Sequence, residues 1–266
     1  MDLYGIVHRI YSALYGSLTQ ACDNELIVKH PVAGVKLPQH KKADRFVLTK
    51  EQQDAFIELA KQKNTGKMLV FILGTGLRKG EATVLTWNDV DFEQEVVYIN
   101  KSLAICVDPD DYSKRRGHIV GPPKTVAGNR TIPLLPSMIT LLPSMITLLK
   151  DLHTEQEMYK ARYGGAYHDN NLVFCSEMGD RISYCALDYR FRKTIDAIGM
   201  TKVDGLSIHS LRHTFATRGL ENGVELRIMQ DILGHSSIQM TSDLYTHVLP
   251  DKKKDSMMKL KDTIKI

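Results

Sequence analysis

Cysteine is scarce in this chain of 266 residues: Cys22, Cys106, Cys175 and Cys185 stand far apart, with no C-x-x-C pair. That spacing argues against a zinc site and against a disulfide framework, and it suits reduced thiols in a cytoplasmic protein. Long apolar runs are missing as well. None reaches the roughly 18 residues that a membrane-spanning helix needs, and the first residues lack a signal-peptide pattern. No sign of charge dominates. The formal net charge is +4 and the pI about 8.7, which permits a nucleic-acid partner without demanding one. What remains is ordinary globular material. Hydrophobic residues make up 43% and charged residues 25%, enough for one large domain or one domain plus a fragment.

Apolar residues at helical spacing (Ile6, Ile10, Leu14, Leu18, Ala21) predict a helix over about Gly5 to Glu25. "KHPVAGVKLPQHKKADR" follows, and its prolines and lysines read as a linker. Thr49 and Gln52 fit a capping box at the head of the helix "QQDAFIELAK". One short helical piece cannot bury its own apolar stripe, so residues 1–43 read as the end of a domain, with a second domain over 44–266. "KMLVFILGTGLRKGEATVLTW" predicts two helices about a glycine turn at Gly74–Gly76. "EVVYIN" and "RTIPLL" predict strands, with "VAGN" as a hairpin turn ahead of the second. "KRRGH" (Lys114–His118) reads as a basic loop, and helix signals dominate from Asp151 on, apart from "NLVFCS". The heptad "LLPSMIT" occurs twice in tandem, at Leu134–Thr140 and Leu141–Thr147, which reads as a recent duplication tolerated as a loop insertion. Pro143 in the second copy is expected to break or offset a helix.

Two motifs fail on inspection. "GTGLRKG" is neither a Walker loop, since Lys79 precedes Gly80, nor a dinucleotide loop, since one residue too many separates Gly76 from Gly80. "HSLRH" sets His209 and His213 four apart, as in a zinc helix. However, Ser210 stands where the catalytic glutamate would be, and Arg212 would bring a fixed cation to the metal.

A different set of polar residues recurs in apolar settings. Arg78 follows the glycine turn, and Glu81 lies three residues later on the same helix face. Lys124 sits in "PPKT" before the hairpin. His209 and Arg212 share a helix face, His235 follows the helix-ending Gly234, and Tyr245 comes ten residues after that. Each has a plain alternative when taken singly: a surface arginine paired with Glu81, a turn lysine, a satisfied core histidine, an interface tyrosine.

Together they resemble the catalytic set of the tyrosine recombinases, the family of phage and conjugative-transposon integrases. "TGLRKGE" is similar to its first arginine box, "PKTVAGNRTIPL" to its lysine hairpin, "HSLRHTFAT" to its H-x-x-R box and "LGHSSIQMTSDLYTHV" to the box ending in the nucleophilic tyrosine. The resemblance runs from about Thr49 to Val248 in the family's order. "ALYGSLTQACDNELIVKHPVAGVKLP" resembles the end of the family's core-binding domain.

The resemblance implies an α+β fold, mostly α-helical, with a small antiparallel sheet carrying Lys124. It implies a DNA recombinase or integrase acting through a 3′-phosphotyrosyl intermediate. Arg78, Arg212 and His235 would donate to the scissile phosphate. Lys124 would be the general acid, His209 the base or relay for Tyr245, and Glu81 the group that orients Arg78 and His209. His247 is expected to be structural or a DNA contact. Tyr159, Tyr163 and Tyr167 rival Tyr245 by composition only. No metal or other cofactor is implied, since the arginines take the electrostatic role. The implied partners are double-stranded DNA, a homo-tetramer assembled on it, and accessory excision or DNA-bending proteins, with no membrane. Lys114, Arg115 and Arg116 could touch DNA or be a solvated loop. The tail "DKKKDSMMKLKDTIKI" would dock on a neighbouring protomer or pack as a helix on its own domain.

Two other activities stay open at this point: a DNA-binding fragment that does not recombine, and a type IB topoisomerase. The family clamps DNA between two domains, and most of the first is not in this sequence. Duplex binding is therefore expected to be weak and salt-sensitive. A gel shift at physiological salt checks this, and a nanomolar dissociation constant would contradict it.

Overall fold

The computed structural model describes residues 3–38, 46–106, 117–123, 125–134, 144–201 and 203–237. It divides into two compact units, Met1–Asp44 and Arg45–Ile266.

The first unit is built on helix α1 (Leu3–Asp23). The segment expected to be a linker folds back on this helix as far as Pro38. Tyr11 Oη donates to the Val32 carbonyl at 3.3 Å, His30 meets Thr19 at 3.2 Å, and its ring lies 4.4 Å from that of Tyr15. Aromatic rings with polar edges make such contacts whatever the prolines between them.

The second unit is organised around α3 (Asn64–Thr75), where Met68 to Leu73 are all fully buried. A helix apolar on every side must be surrounded. Here α2 (Lys50–Ala60), α5 (Met145–Tyr163), α6 (Tyr184–Ala197) and α7 (Ile208–Glu221) pack on it. Phe71 meets Phe174 at 5.2 Å between ring centroids. The capping box at α2 is formed as expected: Gln52 N–H donates to Thr49 Oγ1 at 3.2 Å and Thr49 N–H donates to Gln52 Oε1 at 2.9 Å. After α3 the chain turns at Gly76, whose φ of +68° is left-handed and whose missing Cβ would collide with Phe215 and Leu233. One helical turn follows, α4 (Lys79–Ala82).

The sheet differs in connection from the sequence expectation. β1 (Val90–Asp91), β2 (Val96–Ile99) and β5 (Arg130–Pro133) form one antiparallel sheet in the order β1-β2-β5, with Val97 opposite Ile132 and Ile99 opposite Arg130. Between β2 and β5 the chain makes a separate hairpin, β3 (Ser102–Cys106) with β4 (Gly117–Gly121). Gly117 and His118 thus belong to a strand and not to a basic loop. Val126–Gly128 form a 3-10 turn, so "VAGN" is not a hairpin turn. Pro122 and Pro123 give the reason. Neither can donate to a ladder, so the chain leaves β4 and its next strand pairs with the earlier β2.

The second copy of the repeated heptad does not end as a loop. Ser144 is the N-cap of α5, Met145 to Thr147 are helical, and Met145 is buried with its sulfur where a Cβ on Gly74 would be. Pro143 and the rest of the repeat from Leu135 lie outside the described residues, as does the tail. Helix α8 (Leu226–Leu233) packs on α7 through Phe215, Leu220, Met229 and Leu233. Among the described residues no helix is long and apolar enough to cross a membrane.

Phe71→Ala is expected to lower stability by about 3–5 kcal/mol and Thr49→Ala by about 1 kcal/mol. Urea unfolding of both variants checks the ranking, which the reverse order would refute.

Candidate active site

The site grows from the C-terminal end of α8. The last carbonyls of a helix have no partner within it, and they carry the negative end of the helix dipole. Here three successive carbonyls each receive a guanidinium. Ile232 O accepts from Arg130 Nε at 2.6 Å, Leu233 O from Arg212 Nη2 at 2.5 Å, and Gly234 O from Arg78 Nη2 at 2.9 Å. Gly234 caps the helix in the left-handed region, φ +62°. A Cβ there would lie 2.7 Å from the Ala127 carbonyl and 3.0 Å from Arg130 Cδ, so both conformation and space call for glycine.

The three arginines arrive from different elements. Arg78 is not on the helix face predicted for it. It is the N-cap of α4, in extended backbone, and its own N–H donates to Glu81 at 2.9 Å. Its Nη1 donates to the other Glu81 oxygen at 2.8 Å, and its side chain stays partly exposed. Arg212 comes from the second turn of α7 and is 2% exposed. Its Nη1 donates to Gly76 O at 2.6 Å. Burial, then the nearby Arg78 and Arg130 charges, push its pKa down to about 9, which leaves it charged at neutral pH. Arg130 begins β5. It forks onto Glu81, Nη1 to Oε1 at 3.0 Å and Nη2 to Oε2 at 2.8 Å, and Nη1 also reaches the Gly128 carbonyl at 3.1 Å.

Glu81 is therefore the anion shared by Arg78 and Arg130. Burial alone would raise its pKa. The hydrogen bonds and charge of Arg130, then those of Arg78, outweigh burial and hold the carboxyl below its usual range. Three guanidiniums against one carboxylate leave the described cluster cationic.

His235 follows the cap and is 7% exposed. Its N–H donates to Gln230 O at 3.1 Å, and its own carbonyl accepts from Gln230 Nε2 at 3.1 Å, so its backbone is fixed at both ends. His209 is exposed at the head of α7, its ring 4.5 Å from that of His213. A cavity of about 640 Å³ opens beside Arg78, Glu81, Gly128, Gly234, Pro123 and Tyr184. A second, of about 320 Å³, has His209, Arg78, Lys79, Ser207 and Asp188 in its wall. Arg78 and Tyr184 border both.

The structure thus brings Arg78, Glu81, Arg212 and His235 to one helix end, with His209 at a neighbouring cavity. Lys124, Tyr245, His247, Lys114, Arg115 and Arg116 lie outside the described residues. Tyr159 and Tyr163 stack on each other on α5 at 6.4 Å, and Tyr167 Oη meets the Cys175 sulfur at 3.6 Å. Arg130 is the addition. It had one signal in sequence. It stands two residues before Ile132, a core residue, and alternate strand residues share a face.

Residues 47–252 match the phage integrase family. The chain belongs to that family. This integrase-family chain is 30% identical over 252 residues to a XerC-like tyrosine recombinase of Caldanaerobacter subterraneus subsp. tengcongensis, covering 91% of this chain and 62% of that protein. It is 27% identical over 221 residues to the transposase from transposon Tn916 of Enterococcus faecalis, covering 81% of this chain and 51% of that one. It thus spans about half to six-tenths of those relatives' lengths. Among solved structures, the Tn1549 transposon integrase in complex with transposon right end DNA superposes with a TM-score of 0.75, at 22% identity, over 97% of this chain and 79% of that one. A lambda integrase dimer bound to a core site gives 0.58, at 20% identity, over 88% and 70%. The fold is accordingly the α+β, mainly helical one of integrases.

The lowered pKa of Glu81 gives a test. Its ion pairs stabilise the fold fully above the ordinary carboxylate range, and that contribution is lost as pH falls through the lowered value. Glu81→Gln is expected to destabilise by about 3 kcal/mol near neutral pH. The gap to the parent protein should close in acid. Urea unfolding along a falling pH series checks this, and a gap independent of pH would refute it.

Proposed function

We propose that this chain is a site-specific DNA recombinase, an integrase that cuts and rejoins double-stranded DNA through a 3′-phosphotyrosyl intermediate. The observation that carries this reading is the gathering of Arg78, Arg212 and His235 at the end of α8, with Arg78 in the wall of a cavity beside it. Family membership and the DNA-bound state of the solved neighbours support it.

In the proposed reaction Tyr245 Oη attacks the scissile phosphorus. The bond to the 5′-oxygen breaks and the phosphate stays on the tyrosine. His209 takes the tyrosine proton, and Lys124 gives one to the leaving 5′-oxygen. Arg78 and Arg212 donate to the non-bridging oxygens, where negative charge grows in the transition state, and His235 adds a third donor. Arginine suits this role. Each of the two spends two of its five N–H groups on the carbonyl and carboxylate bonds described, so others can face a ligand. Attack by another 5′-hydroxyl on the phosphotyrosine reverses the step and joins new strands.

On this reading residues 1–43 are the end of a core-binding domain and 44–266 the catalytic domain. Lys114, Arg115 and Arg116 contact backbone phosphate, and His247 supports the tyrosine segment. The assembly is a homo-tetramer on DNA, working in the cytoplasm with accessory excision or DNA-bending proteins on a mobile element.

A trapping assay tests the chemistry. The substrate is a nicked duplex, taken from DNA flanking the gene, that loses its 5′-hydroxyl fragment after cleavage. The expected result is a protein–DNA band that survives denaturation, is absent with Tyr245→Phe, and forms about 10²-fold more slowly with Arg78→Ala. A band that persists in Tyr245→Phe would remove that tyrosine from the role.

A further inference from the structure

Arg130 is the buried cation that the proposed reaction leaves without a task. Its side chain is 5% exposed, on the first residue of β5. A buried guanidinium has five N–H groups that need partners. This one makes four bonds, to three separate segments. It forks onto Glu81, donates to the Gly128 carbonyl in the turn before its own strand, and donates from Nε to Ile232 at the end of α8.

Each bond bears on a group placed in the site. Glu81 has two oxygens, and Arg78 and Arg130 share both of them. Without Arg130 the carboxylate would lose the partner that fixes its plane, and the guanidinium of Arg78 would lose its reference. The bond to Ile232 adjoins the carbonyls that hold Arg212 and Arg78, and His235 is three residues further on. A Cβ on Gly234 would lie 3.0 Å from Arg130 Cδ, so the cap and that side chain are closely fitted.

We propose that Arg130 is a positioning residue for the recombinase reaction. It sets the reach of Arg78 through Glu81 and sets the end of α8 through Ile232, without touching the DNA. This rests on the recombinase reading given above. Lysine cannot replace it in full, because one ammonium is a point charge and cannot hold a carboxylate fork and a helix carbonyl in one plane.

The test uses the full chain, with Arg130→Met and Arg130→Lys, on the nicked trapping substrate. Cleavage is measured in a single turnover at saturating protein, and duplex affinity is measured separately. A second substrate carries a neutral methylphosphonate at the scissile position, where less charge needs to be met. Arg130→Met is expected to slow cleavage of the phosphate by about 10²-fold with affinity held, the loss typical of a small misplacement remote from the chemistry. Arg130→Lys is expected to fall between Met and the parent. The deficit of both should shrink on the methylphosphonate, because it acts through Arg78. If Arg130→Met fails to fold, judged by near-ultraviolet circular dichroism, Arg130→Lys carries the comparison of the two substrates. Parent-like rates, a loss confined to affinity, or an equal deficit on both substrates would overturn the proposal. A parent protein that forms no covalent band on any substrate would instead count against the recombinase reading itself.

Discussion

The end of one eight-residue helix governs the cluster. Three carbonyls that α8 cannot satisfy internally, those of residues 232, 233 and 234, are satisfied by three arginines from β5, α7 and the α4 cap. A short helix has little stability of its own, and α8 is held by an apolar face against α7 and by this polar end. The placement of Arg78, Arg212 and His235 follows from that arrangement. The guanidiniums are located by backbone, which moves less than side chains. The left-handed glycine that closes the helix sends the chain on to His235.

Charge balance explains why the cluster tolerates burial. Arg130 is neutralised locally by the Glu81 fork, a geometry in which planar guanidinium and carboxylate match. Arg78 shares that carboxylate but keeps a partly exposed side chain. Burial works against the Glu81 charge, and the bonds and charges of both partners work for it. The two arginines and Glu81 are thus one hydrogen-bonded unit, and removing either arginine takes away part of what holds the Glu81 pKa down.

Much of this could be read from the residues alone. Arg78, Arg212, His209 and His235 stood out as polar residues in apolar stretches, and helical and strand periods placed most elements. The capping box at Thr49 was legible because it is local. What escaped was non-local. Arg130 looks like any strand-end arginine until Glu81, 49 residues away, is seen opposite it. The β3–β4 hairpin escaped because Ser102–Cys106 and Gly117–Gly121 are short and weakly alternating, and strand pairing is decided by partners rather than propensity. The start of α5 inside the repeated heptad escaped because identical copies carry identical local signals. The packing of Met145 against Gly74 is non-local and cannot be read from the heptad itself.

Arg212 differs from its two neighbours in kind. Its described hydrogen bonds go to the carbonyls of Gly76 and Leu233, each in the closing turn of a helix, α3 and α8, and not to a carboxylate. Aligned peptide dipoles therefore bear directly on a buried full charge, and the nearby Glu81 charge adds to their effect. The fold has already stripped this guanidinium of water and fixed its orientation by backbone from two helices, so neither cost is left to the moment when an anion is bound.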